Sequence, residues 1–265
     1  IEHELGLDVP IYVQYGRWVG NIFLHGSLGL SLWKKIPVTG LILERLPVTI
    51  ELGLLALIVG VSVALPIGVY SAIRQDTAGD YLGRTVSILA MSVPGFWIGT
   101  MIMVFPALWW SWSPPVQLIR FVDDPLHNLG QFIIPAAVMG MAMSGITMRM
   151  TRTMMLEVLR QDYIRTAWSK GLRERVVVLR HALKNALIPV VTIIGLQMPV
   201  LIGGAVVMEQ IFALPGIGRL MLDAINSRDY PIVSGVMLFM AMFVLLINLT
   251  VDLTYSFLDP RVQYR

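Results

Sequence analysis

The segment LGLLALIVGVSVALPIGVYSAI, residues 52–73, runs for 22 residues without a charged side chain. In an α-helix, roughly 20 apolar residues are enough to cross a hydrocarbon core of about 30 Å. The segment therefore predicts a transmembrane helix and sets the fold class of the whole chain.

Four further charge-free stretches follow: Thr85–Ile119, Asn128–Met148, Asn185–Met208 and Tyr230–Val251. The first of them is too long for one span, and its aromatic tail Trp109–Pro115 is typical of a membrane interface followed by a turn. We therefore expect five spans, at about residues 50–73, 85–108, 130–149, 186–208 and 231–257.

The composition agrees with a membrane protein. The 265 residues are 56% hydrophobic and 14% charged, whereas soluble domains carry about 25% charged residues. Segments of about ten alternating residues, which a membrane β-barrel requires, are not seen. We predict an all-α polytopic bundle, with a transmembrane domain over residues 46–258.

Lysine and arginine residues indicate the orientation, because cytoplasmic loops carry the excess of both. Because successive spans run in opposite directions, the regions 74–84, 149–184 and the C-terminal tail share one side of the membrane. Together they hold thirteen lysine and arginine residues, against seven on the other side. This places the loop 150–185 and the tail 259–265 in the cytoplasm, and residues 1–45 and 209–230 outside. We also expect a sixth span that precedes residue 1.

Catalytic and cofactor motifs are absent from the sequence. No P-loop G-x-x-x-x-G-K-[ST], G-x-S-x-G or H-E-x-x-H pattern occurs, and there is no cysteine. The histidines are too scattered to suggest a metal site: His3, His25, His127 and His181. We expect no cofactor, no metal and no enzymatic activity in this chain, although an intramembrane site assembled from distant residues remains an alternative.

Charged residues inside spans would indicate a proton or ion pathway. Glu51, Glu209 and Asp252 instead lie near predicted span ends, where we expect headgroups or snorkelling to satisfy them. This pattern disfavours a carrier that is itself coupled to protons or sodium.

Small residues recur every fourth position in the first span, at Ala56, Gly60, Ala64 and Gly68. Such spacing lets two helix backbones approach closely, so it predicts a tight helix–helix seam within the bundle or against a partner subunit. The alternative is the general abundance of glycine and alanine in membrane helices.

The cytoplasmic loop contains an apolar stripe, Ile164, Ala167, Trp168 and Leu172, at helical spacing, with Gly171 as a turn. A second helical pattern follows and continues to Pro189. Such an element must bury its apolar face, either on a partner protein or on anionic lipid. The pattern alone leaves these two alternatives open.

This loop resembles the cytoplasmic E-A-A-x-x-x-G loop of ABC-importer permeases, with Arg165-Thr166-Ala167 at the E-A-A positions and Gly171 at the glycine. The later part, Arg180-His181-Ala182-Leu183 followed by Asn185–Pro189, is similar to the form seen in peptide-type permeases.

The resemblance covers nearly the whole chain and is to the B-type subunit of dipeptide, oligopeptide and nickel permeases. Further matching stretches run in the expected order: Glu4–Asp8, Arg45–Leu52, Ser92–Trp97, Glu209–Arg219, Arg228–Pro231 and Leu258–Arg261.

The resemblance implies a type I ABC-importer permease that works with a second homologous permease, two ATPase subunits that bind ATP and Mg, and an extracytoplasmic substrate-binding protein. Peptide is the expected substrate; nickel, glutathione or sugar through the same machinery, or an ATP-independent channel or carrier, are the alternatives. Lipid surrounds the chain, and no nucleic-acid partner is expected. The implied ATPase-coupling residues are Asp162, Tyr163, Arg165, Thr166, Ala167, Lys170, Gly171 and Leu172.

The extracytoplasmic loop 209–230 alternates apolar residues with glycine and proline. We expect an interfacial or re-entrant helix that lines the outer mouth and faces the binding protein; an interfacial helix without a transport role is the alternative. The outer-mouth residues are Glu209, Phe212, Pro215, Gly216, Gly218 and Asp229.

Overall fold

The computed structural model describes residues 9–111 and 117–258, with the backbone alone at 255–258. The described helices are α1 (Ile11–His25), α2 (Val38–Ile73), α3 (Ala78–Ser92), α4 (Gly95–Trp110), α5 (Pro125–Leu159), α6 (Asp162–Ser169), α7 (Glu174–Ile211), α8 (Ile217–Asn226) and α9 (Tyr230–Leu258). The expected turn beyond Ser111, the stretch Glu4–Asp8 and the tail 259–265 lie outside the described residues.

Four helices are long and apolar enough to cross a membrane: α2, α5, α7 and residues 230–254 of α9. The pair α3 and α4 supplies a fifth span if it is counted as one. The span count therefore agrees with the sequence, and the helices extend beyond the charge-free stretches at several ends. Charges outside the bilayer do not end a helix, because water and headgroups solvate them.

The helix expected over 85–108 is broken. It consists of α3 and α4, which meet at an angle of 85°. The break falls at Pro94, which has no N–H group to donate, and the preceding Val93 is extended, at φ −95° and ψ 124°. Thr77 starts α3 by accepting a hydrogen bond from the Asp80 N–H group.

The loop expected over 150–185 is much shorter. Helix α5 continues to Leu159, and α7 begins at Glu174 with a π-helical stretch at Val177–Ala182. Only residues 160–173 therefore connect two long helices, and most of that connection is α6. The helical periodicity of MRMTRTMMLEVL, residues 148–159, continues the α5 pattern through its charges.

The most extensive helix–helix contact joins α2 to α5. All four small residues of the predicted seam are buried on the α2 side of it. A methyl group at Gly60 would lie 3.0 Å from the Gly140 carbonyl oxygen, and one at Gly140 would lie 2.5 Å from the Ala56 carbonyl oxygen. A methyl group at Gly68 would lie 2.8 Å from the Met148 carbonyl oxygen. The two backbones are thus too close for larger side chains at these positions.

Three apolar clusters form the core. One lies at the middle of the bundle around Leu52, Phe132 and Met208. A second includes Met155 and Ile164 and lies at the end that the charge pattern predicts to be cytoplasmic, here called the cytoplasmic end. A third lies at the opposite end, here called the outer end; it packs α8 against the start of α2 and of α9 and includes Ile42 and Ile217. The two terminal clusters support the two candidate sites described next.

Candidate functional site

The cytoplasmic end carries a compact elbow made of α6 and the turn that follows it. Ile164 and Ala167 are buried in the cytoplasmic apolar cluster. Their neighbours there come from the ends of three longer helices: Val69, Ala72, Met155, Val177, Val178, Ala182 and Ala186. The elbow is therefore fixed to the bundle by its own apolar side.

This arrangement corrects one expectation from the sequence. The apolar stripe of α6 was expected to face a partner or lipid, but Ile164 and Ala167 contact the chain itself. Trp168 and Leu172 stay exposed, with exposed fractions of 45% and 36%. Ala167 is consequently a support residue of the elbow and does not lie on its free surface.

Apart from Tyr163 and Trp168, the free surface of α6 is polar. Asp162, Arg165, Thr166 and Ser169 are all exposed at the spacing i, i+3, i+4 and i+7. The Arg165 Nη1 atom lies 3.3 Å from the Asp162 carboxylate oxygen Oδ1. Lys170 is exposed beside this stripe, so the outward face offers both charges and hydrogen-bonding groups.

Tyr163 ties the elbow to α7, and an ion pair ties the start of α7 to the end of α2. The Asn185 amide group donates to the Tyr163 hydroxyl oxygen at 2.7 Å. Arg74, just beyond the end of α2, lies 3.2 Å from Glu174 at the start of α7. Gly171 turns the chain between α6 and α7 with φ +73°, a conformation that favours glycine.

A buried ionic cluster next to the elbow was missed at the sequence level. The Asp80 carboxylate is fully buried and accepts two hydrogen bonds of 3.0 Å from the Arg152 guanidinium. Ser71 also donates to it, and the Arg84 Nε atom lies 3.4 Å away. The cluster joins α2, α3 and α5 at their cytoplasmic ends. The sequence places Arg152 among the charges of the predicted loop 150–185, where no local pattern links it to Asp80.

The outer end carries a second arrangement, here called the outer clasp, in which Glu209 holds the start of α8. The Glu209 carboxylate is fully buried. It accepts a 2.6 Å hydrogen bond from the Thr49 hydroxyl of α2 and a 2.9 Å hydrogen bond from the Arg219 N–H group. An anion at a helix N-terminus is stabilised by the helix dipole. Glu209 therefore caps α8 from within the protein.

This finding corrects the expectation that headgroups satisfy Glu209. The partners come from α2, 160 residues earlier, and from the first turn of α8. The Ile217 N–H group also donates to the Thr49 hydroxyl oxygen at 2.9 Å, so Thr49 contacts both the Glu209 carboxylate and the start of α8.

Two glycines allow the clasp to close. A β-carbon at Gly216 would collide with the Glu209 carboxyl group. One at Gly218 would lie 2.5 Å from the Val206 Cα atom. Phe212 is buried beside them, whereas Pro215 is half-buried at the edge of an outer cleft.

Asp229 fixes the corner between α8 and α9 to the segment before α2. It is buried and accepts hydrogen bonds from the Ser31 hydroxyl at 2.5 Å and from the Leu32 N–H group at 3.2 Å. The Trp33 ring N–H group donates to the Ser227 carbonyl oxygen at 2.8 Å. Glu209 and Asp229 therefore hold opposite ends of α8.

The described residues hold no group of three or more histidine, aspartate or glutamate side chains placed to bind a metal ion. The elbow and the outer clasp lie at opposite ends of the bundle.

Residues 64–264 match the family described as binding-protein-dependent transport system inner membrane component. The chain belongs to this family. The permease is 45% identical over 264 residues to a putative peptide transport system permease protein of Brucella abortus (strain 2308), which covers 100% of this chain and 84% of that protein. It is 39% identical over 285 residues to the dipeptide transport system permease protein DppB of Escherichia coli (strain K12), covering 99% and 84%.

Another relative is the oligopeptide transport system permease protein AppB of Bacillus subtilis (strain 168), 41% identical over 265 residues, with coverage of 98% and 83%. Among solved structures, the permease is similar to an inward-facing MetNI methionine ABC transporter, with TM-score 0.66, 16% identity and coverage of 83% and 97%. An amino acid ABC transporter gives TM-score 0.62 at 12% identity, with coverage of 82% and 94%.

These comparisons confirm the predicted family, the all-α importer-permease fold and the location in the inner membrane. The permease is a multi-pass transport subunit of a binding-protein-dependent system.

Proposed function

We propose that this permease imports small peptides and receives its energy at the elbow from a separate ATPase. The observation that carries the proposal is the two-sided construction of α6. Its apolar side is buried in the chain's own cluster, and its polar side faces outward on the arginine-rich end. A short helix mounted in this way transmits a push from a partner to the bundle without bending.

The partners follow from the same reasoning. Two ATPase subunits that bind ATP and Mg would hold α6 of this chain and the equivalent helix of a second homologous permease in grooves. A substrate-binding protein would deliver the peptide at the outer clasp. Peptide is supported by the names of the relatives, which include dipeptide and oligopeptide permeases.

The polar stripe of α6, here called the outward stripe, consists of Asp162, Arg165, Thr166 and Ser169. It allows a test of the proposed coupling, because its residues are exposed and make few contacts within the chain. Thr166→Trp combined with Ser169→Trp adds bulk to the docking face while leaving Ile164 and Ala167 in place. We expect the variant to keep its thermal stability, to lose copurification of the ATPase and to lose ATP-driven peptide uptake.

Arg160→Trp is the matched control, since Arg160 is exposed two residues before α6 and outside its outward stripe. This variant should retain both the copurification of the ATPase and the ATP-driven uptake of peptide. Undiminished ATPase copurification and uptake in the double variant would refute coupling through α6. A permease that transports peptide at full rate without any ATPase would refute the wider proposal.

A further inference from the structure

An outer cleft of about 690 Å³ lies between the start of α2 and the segment before α5. Drug-sized ligands occupy pockets of about 300–1,000 Å³. Pro215 of the outer clasp forms part of its wall. The polar side chains that line it are Glu44, Arg45, Gln117, Arg120 and Asp123. It thus differs from the apolar cavities deeper in the bundle.

Arg45 lines this cleft with a partly exposed side chain. Its Nε atom is buried and has no hydrogen-bond acceptor among the described residues. The guanidinium interacts electrostatically with Glu209, but the described contacts of that carboxylate are with Thr49 and with backbone N–H groups. A guanidinium offers five donors in a planar fork that matches a carboxylate. Arg45 is therefore a suitable partner for an incoming carboxylate.

Glu44 supplies the opposite charge next to it. Its side chain is exposed, lines the same cleft and forms no ion pair within the described residues. The other two charged residues already neutralise each other, because the Arg120 Nε atom lies 3.0 Å from the Asp123 carboxylate. Among the described residues, Arg45 and Glu44 therefore form no direct ion pair in this cleft, and Arg45 has only its longer-range interaction with Glu209.

We infer that this cleft binds a small zwitterionic peptide, with its carboxylate at Arg45 and its ammonium group at Glu44. Two extended residues span about 7 Å, so a dipeptide can reach two neighbouring side chains. The inference rests on the proposed peptide substrate and adds a contact site on the permease itself, beside the outer clasp. The peptide meets this site after it leaves the binding protein.

The absence of native cysteine makes a direct measurement possible. Leu43→Cys places a single thiol in the lining of the cleft, at a position whose side chain is 58% exposed. The variant permease, assembled with its partners in nanodiscs without the binding protein, is treated with N-ethylmaleimide. Mass spectrometry of this chain then gives the rate of modification of the thiol.

Dialanine should slow the modification, by about threefold at a concentration of twice its dissociation constant. N-acetyl-dialanine amide, which has neither charge, should not slow it. Arg45→Gln or Glu44→Gln should abolish the protection, and Arg45→Lys should restore part of it. Arg17→Gln, which changes an exposed arginine of α1 outside the cleft, should leave the protection unchanged.

Equal protection by both compounds, no protection by dialanine, or protection that survives Arg45→Gln and Glu44→Gln would overturn the inference. Protection seen only when the binding protein is added would assign the cleft to that protein and would also overturn it. ATP-driven uptake by the same preparation, measured with the binding protein present, reports the proposed function separately.

Discussion

The Thr49 hydroxyl donates a 2.6 Å hydrogen bond to the Glu209 carboxylate and so joins the outer ends of α2 and α7. Both side chains are buried, and the same carboxylate caps α8 through the Arg219 N–H group. One carboxylate thus connects three helices at the outer face.

Glu209→Gln should weaken this connection. The amide oxygen can still accept from the Arg219 N–H group, but the amide nitrogen then faces the Thr49 hydroxyl, which loses its acceptor and whose oxygen already accepts from the Ile217 N–H group. The negative charge at the start of α8 is lost as well. Losing a buried hydrogen bond to a charged group costs about 2 kcal/mol. Thermal unfolding of the purified permease should show this as a lower midpoint. Asp223→Asn, on the exposed side of α8, should leave the midpoint unchanged, and an equal loss in both variants would contradict the role of Glu209.

Two glycines should respond to substitution for different reasons. Gly216→Ala should abolish stable folding of the outer clasp, because its β-carbon has no room beside Glu209.

Gly171 has open space around it, but its φ of +73° is unfavourable for residues with a β-carbon. We expect stability to fall in the order Gly171→Asn, Gly171→Ala, Gly171→Val, with about 1 kcal/mol lost for alanine. Detergent stability assays of the four variants would check the order, and a harmless Gly216→Ala would show that the clasp is loose.

The seam between α2 and α5 provides a matched pair of glycines. Gly140→Ala should destabilise the permease, because its methyl group would lie 2.5 Å from the Ala56 carbonyl oxygen. Gly53→Ala, on α2, meets nothing within 4 Å and should be neutral or stabilise the helix by up to about 1 kcal/mol. Yields and unfolding midpoints in one detergent would compare them. Similar midpoints for the two variants would argue against the close seam.

Arg152→Gln should be strongly destabilising, since it leaves the buried Asp80 carboxylate without its main partner. Breaking a buried ion pair from one side costs about 3–5 kcal/mol. Adding Asp80→Asn to Arg152→Gln should recover part of the loss. Arg149→Gln, three residues earlier on α5 and exposed, is the control and should behave like the unmodified chain. The amount of folded permease in the membrane fraction would report the difference; no recovery in the double variant would mean that Arg152 acts through other contacts.

The local patterns of the sequence predicted the spans and the position of the small-residue stripe well. Four-residue spacing of Ala56 to Gly68 is a property of one helix and can be read without knowing its neighbour. The bend at Pro94 was harder to predict, because proline also occurs inside unbroken helices, as Pro66 does in α2.

Contacts between distant residues could not be predicted in the same way. Periodicity showed that α6 has an apolar face, but it could not show that the chain's own cluster covers Ile164 and Ala167. Glu209 and Thr49 are separated by 160 residues, so no local pattern links them. Arg152 looked like an orientation signal because the end of α5 was placed too early.

The single helix α7 runs for 38 residues from the elbow to the clasp, a length of roughly 57 Å at 1.5 Å per residue. Its first residues lie against α6, and Glu209 near its last turn holds α8. Helix α2 makes the same connection, since Val69 and Ala72 lie in the elbow's cluster and Thr49 lies in the clasp. A displacement imposed in the cytoplasm therefore has two helices along which to reach the external face, so we expect the two mouths of the permease to move together.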